Sequence, residues 1–274
     1  MTSPALQDII ALLGCPAAGN PAQYLFERAI EAAGIDCRFV TCDVPANEVA
    51  AALAGVTALG FRGCLLGGPL RTAALPLVVS ASPSATFAGA VSLIELRPDG
   101  LAGHMTDGRG MVEAVRAHVD PTGRGVLVVG ADACGRAAAL ELALAGAASV
   151  AVCDPDASRA RDLVAALAGG HAAAASLIDW HDAPAVPAEA QIVVLTSDAA
   201  RWPPPTGLRP DLVVADGWLA GDRSAAASAA ADAGGCIVDG IEIHAAQTAI
   251  DFQTLTGAAA DVEMLREALE EFLS

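Results

Sequence analysis

Gly125-Val-Leu-Val-Val-Gly130-Ala-Asp132-Ala-Cys-Gly135-Arg136, continuing through alanine and leucine to Val150-Ala-Val-Cys-Asp154, is the stretch that decides the fold. Val126 to Val129 are apolar and mostly β-branched, as a strand buried on both faces requires. Gly130 breaks the run, Ala133 to Ala145 carry strong helix propensity, and Gly146 stands where a helix C-terminal glycine belongs. Ser149 to Cys153 then read as a second strand ending at Asp154. The unit is β-α-β, with a glycine turn at its first junction and an acid at the end of its second strand. In a dinucleotide-binding unit, such a turn brings a pyrophosphate to the helix N-terminus and the acid accepts the ribose hydroxyls. The middle glycine of Gly-x-Gly-x-x-Gly is replaced by Asp132. A carboxylate there sets bulk and like charge against a pyrophosphate, or it caps the helix as aspartate often does; both readings stand.

Composition narrows the function classes. The chain has 274 residues, enough for two modest domains or one large one, and 54% of them are hydrophobic. A net charge of −17 argues against nucleic acid and anionic membrane surfaces as partners. No apolar run reaches membrane-spanning length, and the start Met-Thr-Ser-Pro-Ala lacks a basic leader. Seven cysteines without a Cys-x-x-Cys pair fit reduced thiols in a cytoplasmic protein. No cluster has metal-ligand spacing, so no metal is expected. All 15 basic residues are arginine and none is lysine, which excludes any mechanism needing a lysine amine.

Outward from the central unit, strands are expected at Ile9–Leu13, Cys37–Cys42 and Gly63–Leu66, with helices at Ala22–Ala33 and Ala46–Leu53. Gly89–Leu96 and Leu101–His104 bracket the turn Pro98-Asp99-Gly100 as a hairpin, and a helix runs from Asp107 to about His118. Beyond Asp154 come a helix at Ser158–Leu167 and strands near Gln191–Leu195, Asp211–Ala215 and Gly235–Val238. Strands alternating with helices in this way imply a parallel sheet. Asp261 to Leu273 form an amphipathic terminal helix.

The order of these pieces resembles the shikimate dehydrogenase family over nearly the whole chain. Ala88-Gly89-Ala90-Val91-Ser92 stands for that family's Ile-Gly-Ala-Val-Asn, and Gly103-His104-Met105-Thr106-Asp107-Gly108-Arg109-Gly110 for Gly-x-Asn-Thr-Asp-x-x-Gly. Asp239-Gly240-Ile241-Glu242-Ile243-His244-Ala245-Ala246-Gln247 follows Asp-Gly-Leu-Gly-Met-Leu-x-x-Gln without a gap. The resemblance implies an α/β protein with an N-terminal α/β substrate domain and a Rossmann-type, doubly wound parallel sheet, with the active site in the cleft between them. The substrate domain would hold residues 1–105, with 239–274 returning to it, and the NAD(P)-binding domain residues 106–238. The implied activity is hydride transfer between nicotinamide and a cyclic hydroxy or keto acid, as in aromatic amino acid biosynthesis, and a homodimer is compatible with it.

Site residues carry over position by position. Asp107 and Arg71 take the catalytic positions; Gly130, Ala131, Asp132, Gly135, Arg136, Asp154, Thr196 and Gly240 line the cofactor; Gln247, Ser92, Asn20 and Leu65 fall at the substrate. The departures are concentrated here. Where the family has Gly-x-Asn-Val-Thr-x-Pro-x-Lys, this chain has Gly63-Cys64-Leu65-Leu66-Gly67-Gly68-Pro69-Leu70-Arg71. Two substrate-holding side chains thus become Leu65 and Gly67, and the acid/base lysine becomes Arg71, a permanent cation that cannot shuttle a proton. That leaves Asp107 or a water as the proton acceptor there. Asp154-Pro155-Asp156 replaces the Asn-Arg-Thr of NADP-using relatives, so NAD is expected over NADP. Substrate preference should be altered accordingly. The competing reading is a binding or regulatory protein on the same scaffold, chemically silent because the lysine and polar clamps are gone.

Overall fold

The computed structural model describes residues 7–170 and 173–274. Two compact units emerge, one comprising the chain through Thr106 together with Thr248–Phe272, the other Asp107–Gln247.

The first unit is built on β1 (Asp8–Gly14), α1 (Ala22–Ala33), β2 (Cys37–Asp43), α2 (Val49–Ala58), β3 (Gly63–Leu66), α3 (Leu70–Ala74), β4 (Ser80–Ala81), α4 (Pro83–Ala88), β5 (Leu93–Arg97) and β6 (Gly100–His104). Its six strands take the order β2-β1-β3-β5-β6-β4. β1 pairs in parallel with β2 and β3, and β5 runs antiparallel to both β3 and β6. The sheet is therefore mixed: β5 alone runs against the others, the Pro98-Asp99 turn makes a true hairpin that restores the common direction in β6, and β4 pairs with β6 in parallel. The strand expected from Gly89 begins only at Leu93, because Ser82 caps α4 and Gly89 ends that helix in the left-handed conformation. α2 runs to Ala58, five residues past the expected end, with Gly55 tolerated inside it.

The second unit contains α5 (Asp107–Arg116), β7 (Gly125–Val129), α6 (Ala133–Leu144), β8 (Ser149–Cys153), α7 (Ala157–Ala168), β9 (Ala174–Leu177), β10 (Ala190–Leu195), β11 (Val213–Asp216), α8 (Ala225–Asp232) and β12 (Cys236–Val238). Its strand order, β12-β11-β10-β7-β8-β9, places β7 and β10 at the centre, and every described pairing is parallel. This is a doubly wound sheet whose order reverses between β7 and β10, where such folds bind ligands. All five residues of β7 are buried, as its apolar run demands. β9 escaped the sequence because Ala174-Ala-Ser-Leu177 holds no β-branched residue.

Two helices finish the chain, α9 (Gly240–Thr256) and α10 (Val262–Leu273). The resumption of the first unit falls at Thr248, inside α9, rather than at 239 before it. Phe252 on α9 is fully buried and packs edge-on to Phe26 of α1, with ring centroids 5.7 Å apart. Phe26 in turn lies 4.8 Å from Phe39 of β2. Arg62 donates to the Leu255 carbonyl at 3.2 Å, and Arg28 pairs with Glu271 of α10 at 2.7 Å. Among the described residues no helix is long and apolar enough to cross a membrane.

The aromatic cluster that fastens α9 to the first unit predicts that Phe252→Ala lowers unfolding stability by about 3–5 kcal/mol, read from urea denaturation.

Candidate functional site

The glycine turn between β7 and α6 is held from two sides. Gly130 has φ +108°, and a Cβ on it would collide with the Thr196 hydroxyl that follows β10. Gly135, one turn into α6, lies so close to the Gly130 carbonyl that any side chain would overlap it. Below the turn, Asp154 is buried at the end of β8. Its Oδ2 accepts the Ala131 N–H at 2.7 Å and its Oδ1 the Asp156 N–H at 2.7 Å. The carboxylate therefore stitches the turn to β8.

The Asp154-Pro155-Asp156 turn has no arginine within it, but Arg159, in the first turn of α7, reaches Asp154 at 3.1 Å and lies 3.7 Å from Asp156. A five-residue spacing hid the contact, because α7 turns Arg159 back over its own N-terminus. Asp156 itself caps α7, accepting the Ser158 N–H at 2.9 Å. Asp132 caps α6, its Oδ1 accepting the Gly135 N–H at 2.8 Å at the start of the helix. Burial pushes the Asp132 carboxyl above the usual aspartate range, opposed by the Gly135 hydrogen bond.

A cavity of about 40 Å³ opens beside this turn, within the second unit. Asp107 and Met111 line it from α5, Cys134 and Ala138 from α6, and Val194 and Thr196 from β10 and its end. Ile243, His244 and Gln247 close it from α9. Glycines let these elements meet: a side chain at Gly108 would collide with the Ala137 carbonyl, and a Cβ at Gly110 would sit 2.6 Å from that of Gln247. The Thr-Asp-Gly-x-Gly motif is thus a packing requirement as well as a source of Asp107. The Asp107 Oδ1 accepts the Cys134 thiol at 3.4 Å. Thr196 is 3% exposed, and its Oγ1 is buried without a hydrogen-bond partner among the described residues. Such a hydroxyl costs stability unless a ligand meets it.

Asp107, Thr196 and Gln247 therefore share one cavity, and Gly130, Ala131, Asp132, Gly135 and Asp154 form the adjoining turn. Arg136 follows on α6, where burial lowers its pKa against the pull of Asp162. Gly240 is buried at the start of α9, where a Cβ would collide with the Trp218 carbonyl. The remaining predicted residues lie in the first unit. Ser92 is buried, its Oγ accepting the Thr106 N–H at 3.0 Å. Asn20 is exposed and accepts the Ala22 N–H at 2.9 Å, at the start of α1. Leu65 is half-buried on β3, and Arg71 on α3 donates its Nε–H to the Leu66 carbonyl at 2.9 Å. His244 and Cys134 are the site residues that sequence reasoning passed over as cavity groups. His244, three residues before Gln247 on α9, gives the cavity a second proton-accepting side chain, so Asp107 is not alone there. The one-turn spacing from Gln247 was the available signal. Among the described residues no group of His, Cys, Asp and Glu could hold a metal ion.

The turn fits a dinucleotide in backbone: Gly130 and Gly135 leave it without side-chain bulk, and the N-terminus of α6 opens onto it. Two carboxylates compete there, since Asp132 already occupies the Gly135 N–H and Asp154 the Ala131 N–H.

Comparison with known proteins agrees with this architecture. Residues 12–94 match the shikimate dehydrogenase substrate binding domain. The chain is 31% identical to the shikimate dehydrogenase (NADP(+)) of Moorella thermoacetica over 97% of its length and 94% of that protein. It is 34% identical to the corresponding protein of Halorubrum lacusprofundi, covering 96% of this chain and 98% of that one. The ligand-free 5-ketofructose reductase of Gluconobacter sp. strain CHM43 superposes with a TM-score of 0.91 at 28% identity, over 97% of this chain and 99% of that one.

The unpartnered hydroxyl makes a prediction separable from any activity. Thr196→Val should leave stability unchanged or raise it by about 1 kcal/mol in urea unfolding, because it deletes a buried group with nothing to bond.

Proposed function

The chain belongs to the shikimate dehydrogenase family, and on that premise we propose that it is a nicotinamide-dependent oxidoreductase acting on a small cyclic hydroxy or keto acid. The observation that carries the reading is the convergence of Asp107 and Gln247 on one cavity beside the glycine turn. When bound, the dinucleotide supplies the hydride chemistry. Gly130, Ala131 and Gly135 leave room for the pyrophosphate to approach the backbone at the head of α6, and Thr196 offers an unpaired hydroxyl. Asp107 binds the reacting hydroxyl and accepts its proton in oxidation, with the His244 imidazole in the same cavity as a second acceptor. Gln247 hydrogen-bonds the substrate. Resemblance gives position 71 the acid/base role, but the guanidinium of Arg71 stabilises negative charge without moving a proton. Leu65 and Gly67 offer no side-chain donors, so the substrate preference departs from that of relatives named for shikimate. Seven free cysteines support a reducing, cytoplasmic setting.

Asp132 favours the second reading, a chemically silent binding protein. An ionised carboxylate at the head of α6 repels a pyrophosphate and withholds the Gly135 N–H. Protonation relieves both effects, and burial raises the pH at which it occurs.

Cofactor affinity decides between the two. Two carboxylates and one arginine leave the Asp154–Asp156 turn net negative, so NADH should bind about tenfold more tightly than NADPH, or 1.4 kcal/mol. The NADH affinity should rise as pH falls from 8 toward the raised Asp132 pKa, the neutral acid being the binding form. Asp132→Gly should tighten NADH and flatten that pH dependence. Fluorescence titration checks all three; failure of the wild type and Asp132→Gly to bind either dinucleotide at millimolar concentration hands the case to the silent reading.

Turnover against a panel of cyclic hydroxy acids tests the chemistry. Asp107→Asn should abolish any activity found, by about a hundredfold or more. Arg71→Lys should raise the rate and introduce a pH dependence, because it restores a titratable group with the same charge. A fall in rate would assign Arg71 to gripping the ligand instead.

A further inference from the structure

A second chemical group lies elsewhere on the second unit, assembled from three elements. Cys236 opens β12 and is exposed; its Sγ lies 3.5 Å from Nδ1 of His118, just beyond α5. The other ring nitrogen of His118, Nε2, lies 2.7 Å from Oε2 of Glu242 in the first turn of α9. The imidazole and the carboxylate are 28% and 29% exposed, so water and small solutes reach the chain of groups.

The geometry selects one protonation pattern. A carboxylate facing Nε2 holds the proton on that nitrogen, which leaves Nδ1 as an acceptor turned toward the thiol. A nucleophile, a base and a group orienting the base therefore stand in line, the arrangement that activates a thiol. Charges on the adjoining elements are engaged elsewhere. Arg116 pairs with Glu113 at 2.8 Å and Arg209 with Asp211 at 3.0 Å, while Asp239 caps α9 through the Ile241 and Glu242 N–H groups.

We infer that Cys236 is a reactive thiol-exchange site, with His118 as its base and Glu242 as the positioning residue, and that its co-reactant is a low-molecular-weight disulfide. His118 Nδ1 takes the Sγ proton as the thiolate attacks one sulfur of the disulfide. The new Sγ–S bond forms while the S–S bond of the reagent breaks, and the departing thiolate recovers the proton from the imidazolium. One disulfide is consumed and one formed, so no outside oxidant is needed. The inference is independent of dinucleotide binding and of the cavity beside Asp107.

The other cysteines provide internal references. Burial pushes the Cys64 thiol up to about 12 and the Cys153 thiol up to about 11, aided at Cys153 by Asp154 and Asp179, and it raises Cys37 as well. These three stay silent while the chain is folded. Cys15 and Cys42 are free and exposed, and they mark ordinary surface reactivity.

The test is modification of the full chain by the neutral disulfide 4,4′-dithiodipyridine, with each labelled cysteine assigned by peptide mass mapping. At pH 7 Cys236 should react at least about tenfold faster than Cys15 and Cys42 in the same molecules, and dithiothreitol should reverse it. His118→Asn should reduce Cys236 to their rate, and Glu242→Gln should lower it partway. The rate advantage of Cys236 over Cys15 and Cys42 should change with pH in the wild type and be independent of pH in His118→Asn. Unreactive Cys64 and Cys153 certify that each variant is folded. A Cys236 no faster than Cys15 and Cys42, or unaffected by His118→Asn in a folded variant, overturns the inference.

Discussion

The carboxylate of Asp154 is the constraint on which the second unit turns. It is buried, it accepts two backbone N–H groups, and one of them, from Ala131, belongs to the glycine turn above it. A carboxylate has about four lone-pair positions, and Arg159 takes a third. The shape of the turn, and hence the start of α6, follows from that anchorage. An acid read from sequence as a receptor for ribose is a structural clamp in the folded chain.

Three aspartates act as local backbone partners around this unit, Asp132 at α6, Asp156 at α7 and Asp154 beneath the turn. Each satisfies donors that helix starts and turns leave open. The fold therefore places its acids where a dinucleotide would bring its own negative charge. With arginine as the only basic side chain at ordinary pH, compensation there falls to Arg159, shared between Asp154 and Asp156. On the proposed function, anion binding on this unit would be set by how readily Asp132 is neutralised, which is why its burial matters.

Local sequence carried much of the fold. The β7–α6–β8 unit was legible because strand, turn and helix signals coincide within about thirty residues, and the Thr-Asp-Gly-x-Gly motif led to Asp107. Elements with weak or contradictory local signals were not: β9 is alanine-rich, and α9 gives no amphipathic pattern because it is buried on different sides along its length. The site was legible only as a set of positions. That His244 joins Asp107 in one cavity depends on how α9 lies against α5, and that Cys236 meets His118 spans 118 residues of sequence. Such contacts are products of packing, and no spacing rule encodes them.

The loss of lysine shows how chemistry can be redistributed on a retained fold. A lysine can hold charge and pass a proton; Arg71 keeps the charge, with its Nε–H tied to the Leu66 carbonyl, and gives up the proton. Any proton traffic must then use groups that titrate in the working range. In the second unit the Asp107 carboxylate and the His244 imidazole are held on α5 and α9 around one cavity, and Gly108 and Gly110 let α5 pack close to α6 and α9. The family's pattern has leucine at the position of His244, so the chain that lacks the lysine carries an imidazole beside its aspartate. On the proposed reading, the imidazole beside Asp107 supplies the second unit with a proton acceptor of its own, which is the physical reason to read the chemistry as rebuilt before reading it as broken.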